Sequence, residues 1–172
     1  MKEVFDKISP YDILNNILPG SALIIIFDRC FKEYSFGSAQ VIENVFLYYL
    51  AGLLASRVGS LIVEPRLKVW GVIQYSPYNE FIQAERIDEK VATLSTINNM
   101  YRTFVSVFFI LFLFNFYHFI INGSGFASFL TRFILFVLLF IISIFSYKKQ
   151  TYLIKKRVSV IIEQSKKIEE AV

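Results

Sequence analysis

The side chains with most chemical potential are basic. Lys148-Lys149 and then Lys155-Lys156-Arg157 stud the carboxyl-terminal tail, while Arg66, Lys68, Arg86 and Lys90 fall in a central segment at 64–102. Ammonium and guanidinium groups at this density suit phosphate oxyanions, because each neutralised phosphate releases condensed counterions. Trp70, Tyr75 and Tyr78 stand nearby in sequence and could supply faces on which bases stack. Two simpler readings compete: setting membrane topology by attraction to anionic headgroups, at about 1 kcal/mol per residue near the surface, and binding a calmodulin-like partner. In one chain the patch is small, but a symmetric ring would multiply it around one axis.

Other reactive types are sparse. Asn115, His118 and Asn122 recur at i, i+3 and i+7; polar groups at that spacing in an apolar helix mark inter-helix hydrogen bonds or a wet path. No acid, nucleophile or second ligand stands at helical spacing from His118, which argues against a general base or a metal ligand. Glycine-rich phosphate loops, HExxH, GxSxG and paired carboxylates are all missing from the sequence. Glu80, Glu85, Asp88 and Glu89 interleave with Arg86 and Lys90, as solvated charge does. Cys30, the single cysteine, excludes an intrachain disulfide and leaves only an inter-chain one open. No enzyme activity, metal or cofactor is therefore expected.

The elements that must position these groups are membrane helices. Residues 103–121 carry no charge, and 133–146 add fourteen more uncharged positions beyond a short NGSG link. Roughly 20 apolar residues let an α-helix cross the ~30 Å hydrocarbon layer with every backbone amide paired internally. Two weaker runs precede them, so four spans are expected at about 13–31, 41–63, 103–122 and 126–147. Asn15, Asn16 and Pro19-Gly20 interrupt the first, which leaves a re-entrant segment as its alternative. MKEVFDKISPYD mixes acids with lysines and has no apolar run, so the first hydrophobic segment is expected to be kept as a span.

Orientation follows from Lys and Arg. Lys2 and Lys7 lie in the amino-terminal arm, Arg66, Lys68, Arg86, Lys90 and Arg102 in the central segment, and seven more in the tail, whereas the hairpin at 28–40 has only Arg29 and Lys32. The positive-inside rule then places both termini and the central segment in the cytoplasm of an inner-membrane protein. Arg57 and Arg132 lie close enough to span ends to snorkel outward.

Two amphipathic stripes flank the spans. With no Gly or Pro from 79 to 122, one helix is expected to run from the central segment into the third span, carrying Ile87, Val91, Leu94 and Tyr101 on one face. Ile154, Val158, Ile161 and Ile168 repeat that pattern in the basic tail helix at 148–172. The stripes pack either on each other or on copies of the chain. In the second span, Ala51, Ala55, Gly59 and Gly52, Ser56, Ser60 form adjacent small-residue stripes, which allow close backbone approach in lipid. They flank Arg57, whose nearest sequence-suggested partner is Glu64. The stripes fit packing within the chain or around a symmetry axis.

The strings YDILNNILPG (11–20), ASRVGSLIVEP (55–65) and DEKVATLSTINNMYRTF (88–104), followed by the two strong spans, resemble a family of small bacterial four-span membrane proteins from anti-phage defence operons, in particular the Hailong type. The resemblance implies a nucleotidyltransferase-like partner that makes single-stranded DNA oligomers and a tetrameric ion channel held closed by that DNA. It carries over no ligand residue. The expectation is thus an all-α, integral membrane four-helix bundle with cytoplasmic helical extensions, forming a homo-oligomer in lipid. Gly52, Ser56, Arg57, Gly59, Ser60, Asn115 and His118 serve the pore or helix packing. Arg66, Lys68, Arg86, Lys90, Lys155, Lys156 and Arg157 meet the anionic ligand, whose loss lets the helices splay. A non-catalytic anchoring subunit that recruits a cytoplasmic partner is the alternative.

Overall fold

The computed structural model describes residues 9–123 and 125–169; Lys2, Lys7, Ser124 and 170–172 lie outside them. The described residues fold into five helices without a strand. α1 spans Pro10–Cys30, α2 Val41–Val69, α3 Tyr78–Ile87, α4 Lys90–Asn122 and α5 Phe126–Glu169. All but α3 are long and apolar enough to cross a membrane, so the chain is a multi-pass membrane protein of all-α class. The end where residues 9 and 169 lie is the basic end, and the opposite one is the hairpin end.

α1 is helical throughout, despite its interruptions. Ser9 caps it by accepting the Asp12 N–H at 3.1 Å, with Pro10 in the first turn, where a missing N–H costs nothing. A wide π turn at Ile13–Ile17 precedes Pro19, and another at Gly59–Val63 precedes Pro65 in α2. The wider i→i+5 pairing loosens the ladder where the proline ring would press on it, so neither proline breaks its helix. α2 consequently runs beyond residue 63 to Val69 and stops at Gly71, whose φ is +68°.

The uninterrupted helix expected over 79–122 is in fact two. Asp88 is extended at φ −138°, ψ 104°, and its carboxylate accepts the Lys90 N–H at 3.0 Å. A side-chain acceptor competes with the backbone ladder and starts a new helix there, without help from Gly or Pro. α4 is then continuous for 33 residues, about 50 Å. The basic tail is no separate helix but the direct prolongation of the fourth span, making α5 44 residues long, about 66 Å.

Packing resolves both sets of stripes within one chain. Val91 and Leu94 of α4 meet Ile154, Val158, Ile161 and Ile162 of α5 over Ala84 and Phe81 of α3, while Ile87 and Ile168 stay exposed. A Cβ on Gly52 would stand 1.8 Å from the Asn16 carbonyl oxygen, and one on Gly20 would stand 1.8 Å from that of Tyr48, so α1 and α2 touch backbone to backbone. Gly59 faces α4, where its Cβ would come 2.7 Å from Ser106 Oγ. Ala51 and Ala55 join Phe27, Phe31, Leu111 and Phe136 in the main apolar core.

Candidate functional site

At the basic end the chain between α2 and α3 is clamped onto α5. Beyond Gly71, the Val72 N–H returns to the Leu67 carbonyl at 2.9 Å, and Ile73 is buried with Val63, Leu67, Val105 and Tyr147. The hydroxyls of Tyr75 and Tyr147 meet at 2.5 Å. Burial pushes the Tyr75 phenol up, so it stays protonated and can share that bond.

Two clefts flank the clamped segment. The first, of about 450 Å³, lies between the main chain of Gly71–Gln74 and a face of α5 made by Lys148, Tyr152, Lys155, Lys156 and Ser159. Among the described residues no carboxylate lines it, so three ammonium groups face one space unopposed. Lys155 Nζ donates to Gln74 Oε1 at 3.1 Å, and Tyr152 is 61% exposed beside them. Such a cleft can hold a phosphate oxyanion and offer one aromatic face. The second, of about 360 Å³, includes Glu64, Lys68, Tyr75, Asn98, Arg102 and Lys155. Here charge is largely cancelled, because Glu64 binds Lys68 at 2.8 Å and Arg102 at 2.7 Å. The Lys68 ammonium also sits 4.6 Å from the Tyr75 ring centre.

The seven basic residues expected to meet one ligand are thus not gathered together. Lys155 and Lys156 line the first cleft and Lys68 the second. Arg157 turns away, with Nη2 2.5 Å and Nε 2.7 Å from Asp88, whose carboxyl this bond holds below the usual range. Arg86 belongs to a separate hollow on α3 beside Tyr78 and Ile87, while Arg66 and Lys90 line neither cleft. Lys148, Tyr152 and Gln74 were absent from the expected set. The signal for the first two was the i, i+4, i+7, i+11 series Lys148, Tyr152, Lys155, Ser159, the face of the tail beside its apolar stripe.

Asn115 and His118 belong to a polar network at the hairpin end. The Arg132 guanidinium donates to Asn115 Oδ1 at 3.1 Å and to the Cys30 carbonyl at 2.8 Å, and approaches His118 Nδ1 at 3.5 Å. His118 Nε2 meets Glu33 at 2.7 Å, and Asn122 donates to the same carboxylate oxygen at 3.0 Å. An Nε2–H tautomer satisfies both ring contacts. Arg132 therefore points into the bundle, not outward along its stem; its fork finds three acceptors there and its face covers the Phe31 ring at 4.9 Å. This ties α4 and α5 to the hairpin after α1. Among the described residues no three His, Cys, Asp or Glu side chains gather as metal ligands.

In α2 the glycines face α1 and α4, which leaves Ser56, Arg57 and Ser60 toward a hollow shared with Asp12, Asn16 and Arg102. Glu64 is taken by Lys68 and Arg102 and does not pair with Arg57. No protein-family model matches the chain, and no similar curated protein or solved structure was found.

Proposed function

We propose that the protein is the pore-forming subunit of a ligand-gated ion channel in a bacterial inner membrane, acting in anti-phage defence. Both termini and the basic end face the cytoplasm, as the Lys and Arg distribution favours. The gating ligand is anionic, best matched by a single-stranded DNA oligomer from a nucleotidyltransferase-like partner, and the channel is a homo-oligomer, a tetramer in this reading. One observation carries the proposal: the lysine cleft lies on the prolongation of a spanning helix, with the connection from another spanning helix as its second wall. A ligand held there touches the levers that cross the bilayer without any intervening domain.

The test is ion flux from vesicles reconstituted with the protein, with and without short single-stranded DNA. The proposal expects flux that the oligomer suppresses, with a binding affinity that falls steeply as salt rises. Vesicles that stay tight under both conditions, or binding independent of salt, would refute it. A second reading, a non-catalytic anchoring subunit, draws on the outer face of α3, where Tyr78 is 76% and Ile87 58% exposed. It predicts that a soluble protein copurifies and that the vesicles conduct nothing.

A further inference from the structure

The hollow between α1, α2 and α4 has its own chemistry, independent of the channel reading. It encloses about 280 Å³ and is lined mainly by polar side chains. Arg57 takes part in none of the ion pairs among the described residues. Arg102 lines the same space, and its Nε–H is buried with no hydrogen-bond partner among the described residues even though Nη1 holds Glu64. Ser56, Ser60 and Tyr49 add hydroxyls, and Asp12 is the sole lining carboxylate among the described residues, its oxygens already accepting from Ser9 and Asn16. Counting Glu64 and the Lys68 it also holds, three cations stand against two engaged carboxylates, which leaves one net positive charge and spare donors on Arg57 and on Arg102 Nε.

Its depth is fixed by sequence. Uncharged runs begin after Asp12 in α1, end before Arg57 in α2 and begin after Arg102 in α4. Three helices thus enter the hydrocarbon at one level, and the hollow lies at that level, where phosphate groups of lipids reside. We propose that this pocket binds a phosphate oxyanion, with the Arg57 fork as its principal donor and the hydroxyls of Ser56 and Tyr49 beside it. An anionic phospholipid headgroup and a free phosphate ester share this chemistry. A zwitterionic headgroup is disfavoured, because its ammonium would approach the two guanidiniums.

Native mass spectrometry of the detergent-solubilised full chain tests this, with phosphatidylglycerol and phosphatidylethanolamine as probes. The expected result is preferential retention of phosphatidylglycerol. Arg57→Ala should lower it roughly tenfold or more, the size of one charge-assisted hydrogen bond. Arg86→Ala, on the separate hollow of α3, should leave it unchanged. Equal retention by Arg57→Ala overturns the site, as does equal retention of both lipids by the unaltered protein. Should Arg57→Ala fail to fold, Arg57→Lys decides: charge without the fork should still lose retention several-fold, and full retention overturns the proposal. Adding glycerol 1-phosphate separates the sources: displacement of the lipid assigns the site to any phosphate ester, and undisturbed lipid assigns it to the headgroup.

Discussion

Gly52→Ala adds one methyl group where there is no room for it. The new Cβ would lie 1.8 Å from the Asn16 carbonyl oxygen, 2.6 Å from its carbon and 2.8 Å from its Cα. All three are main-chain atoms, so no rotamer relieves the clash, and ordinary contact needs α1 and α2 to part by about 1.5 Å. That separation also opens the reciprocal contact of Gly20 with Tyr48 and loosens Leu23 and Phe27 against Ala51 and Ala55. Overpacking of this sort costs about 1–3 kcal/mol, and a rigid backbone on both sides puts Gly52 at the top of the range. For a chain of 172 residues, where each kcal/mol moves the midpoint by roughly 2–4 °C, the thermal midpoint should fall by roughly 6–12 °C. The assay is heating of detergent-purified protein followed by size-exclusion chromatography of the survivors. Gly125→Ala, which meets nothing within 4 Å among the described residues, is the control. A Gly52→Ala midpoint indistinguishable from that of Gly125→Ala would show that α1 and α2 are not in backbone contact.

Glu33 gives a pH test, because hydrogen bonds from His118, then Asn122, hold its carboxyl below the usual range. Its contribution is complete above the unfolded value, about 4.3 for a free glutamate, and is lost as pH falls through the lower folded value. The unaltered protein should therefore lose thermal stability on acidification below about pH 4, and Glu33→Gln should flatten that slope; parallel slopes would contradict the network. Asp88→Ala removes both the acceptor for the Lys90 N–H and the partner of Arg157, so hydrogen exchange should quicken around residues 88–92. Combining it with Arg157→Ala should add little, whereas additive quickening would separate the two residues. Lys155→Glu with Lys156→Glu should weaken oligonucleotide binding, and neutralising either lysine alone should flatten the salt slope by about 0.7. Arg157→Glu should instead lower stability; equal losses of binding from all three positions would mean that the cleft is not the site. Tyr147→Phe should loosen the clamped segment through Tyr75 and weaken oligonucleotide binding without touching a lysine; unchanged affinity would uncouple clamp from cleft.

Span number and the identity of the core-facing stripes were legible because lipid makes them so: an uncharged run of sufficient length has few alternatives to a crossing helix. The amphipathic stripes of α4 and the tail announced that each needed a partner. Periodicity specifies a face but not what covers it, and the answer, each other, needed the break at Asp88 that swings α3 alongside. That break was visible only as an acid two residues before Lys90, a weak signal amid Glu85 and Glu89. Polar side chains were read least well. Arg132 lies just far enough inside α5 to reach either water or the bundle, and what draws it inward is the Cys30 carbonyl, 102 residues away in sequence. Glu64 was matched to Arg57 by helical spacing within α2, whereas its actual partners are Lys68, one turn on in the same helix, and Arg102, which arrives from α4. Charge density marked the tail as a candidate ligand surface, but only the position of 70–77 separates Lys148, Lys155 and Lys156, which face a shared space, from Arg157, which does not.

The two ends of the bundle restrict where motion can occur. Backbone contact at Gly20 and Gly52 makes α1 and α2 one rigid pair, and the Arg132 network fastens α4 and α5 to the hairpin beyond α1. At the basic end the connecting segment itself is held to α5 by less: the side chain of Ile73, the Tyr75–Tyr147 bond and the Lys155–Gln74 bond, while Val63 and Leu67 of α2 share the cluster with Tyr147 and both helices are fastened to α4. Interactions this few are the ones a ligand can outweigh or reinforce. An oxyanion that bridges the lysines of α5 and the main chain of Gly71–Gln74 binds only while the segment is seated, so it shifts the equilibrium toward the seated state by its differential affinity and no more. A hundredfold preference would supply about 2.7 kcal/mol, comparable to two or three net hydrogen bonds. Loss of the ligand would then free the connecting segment from α5 while α2 and α5 stay fastened to α4, and the proposed channel would be worked through that segment.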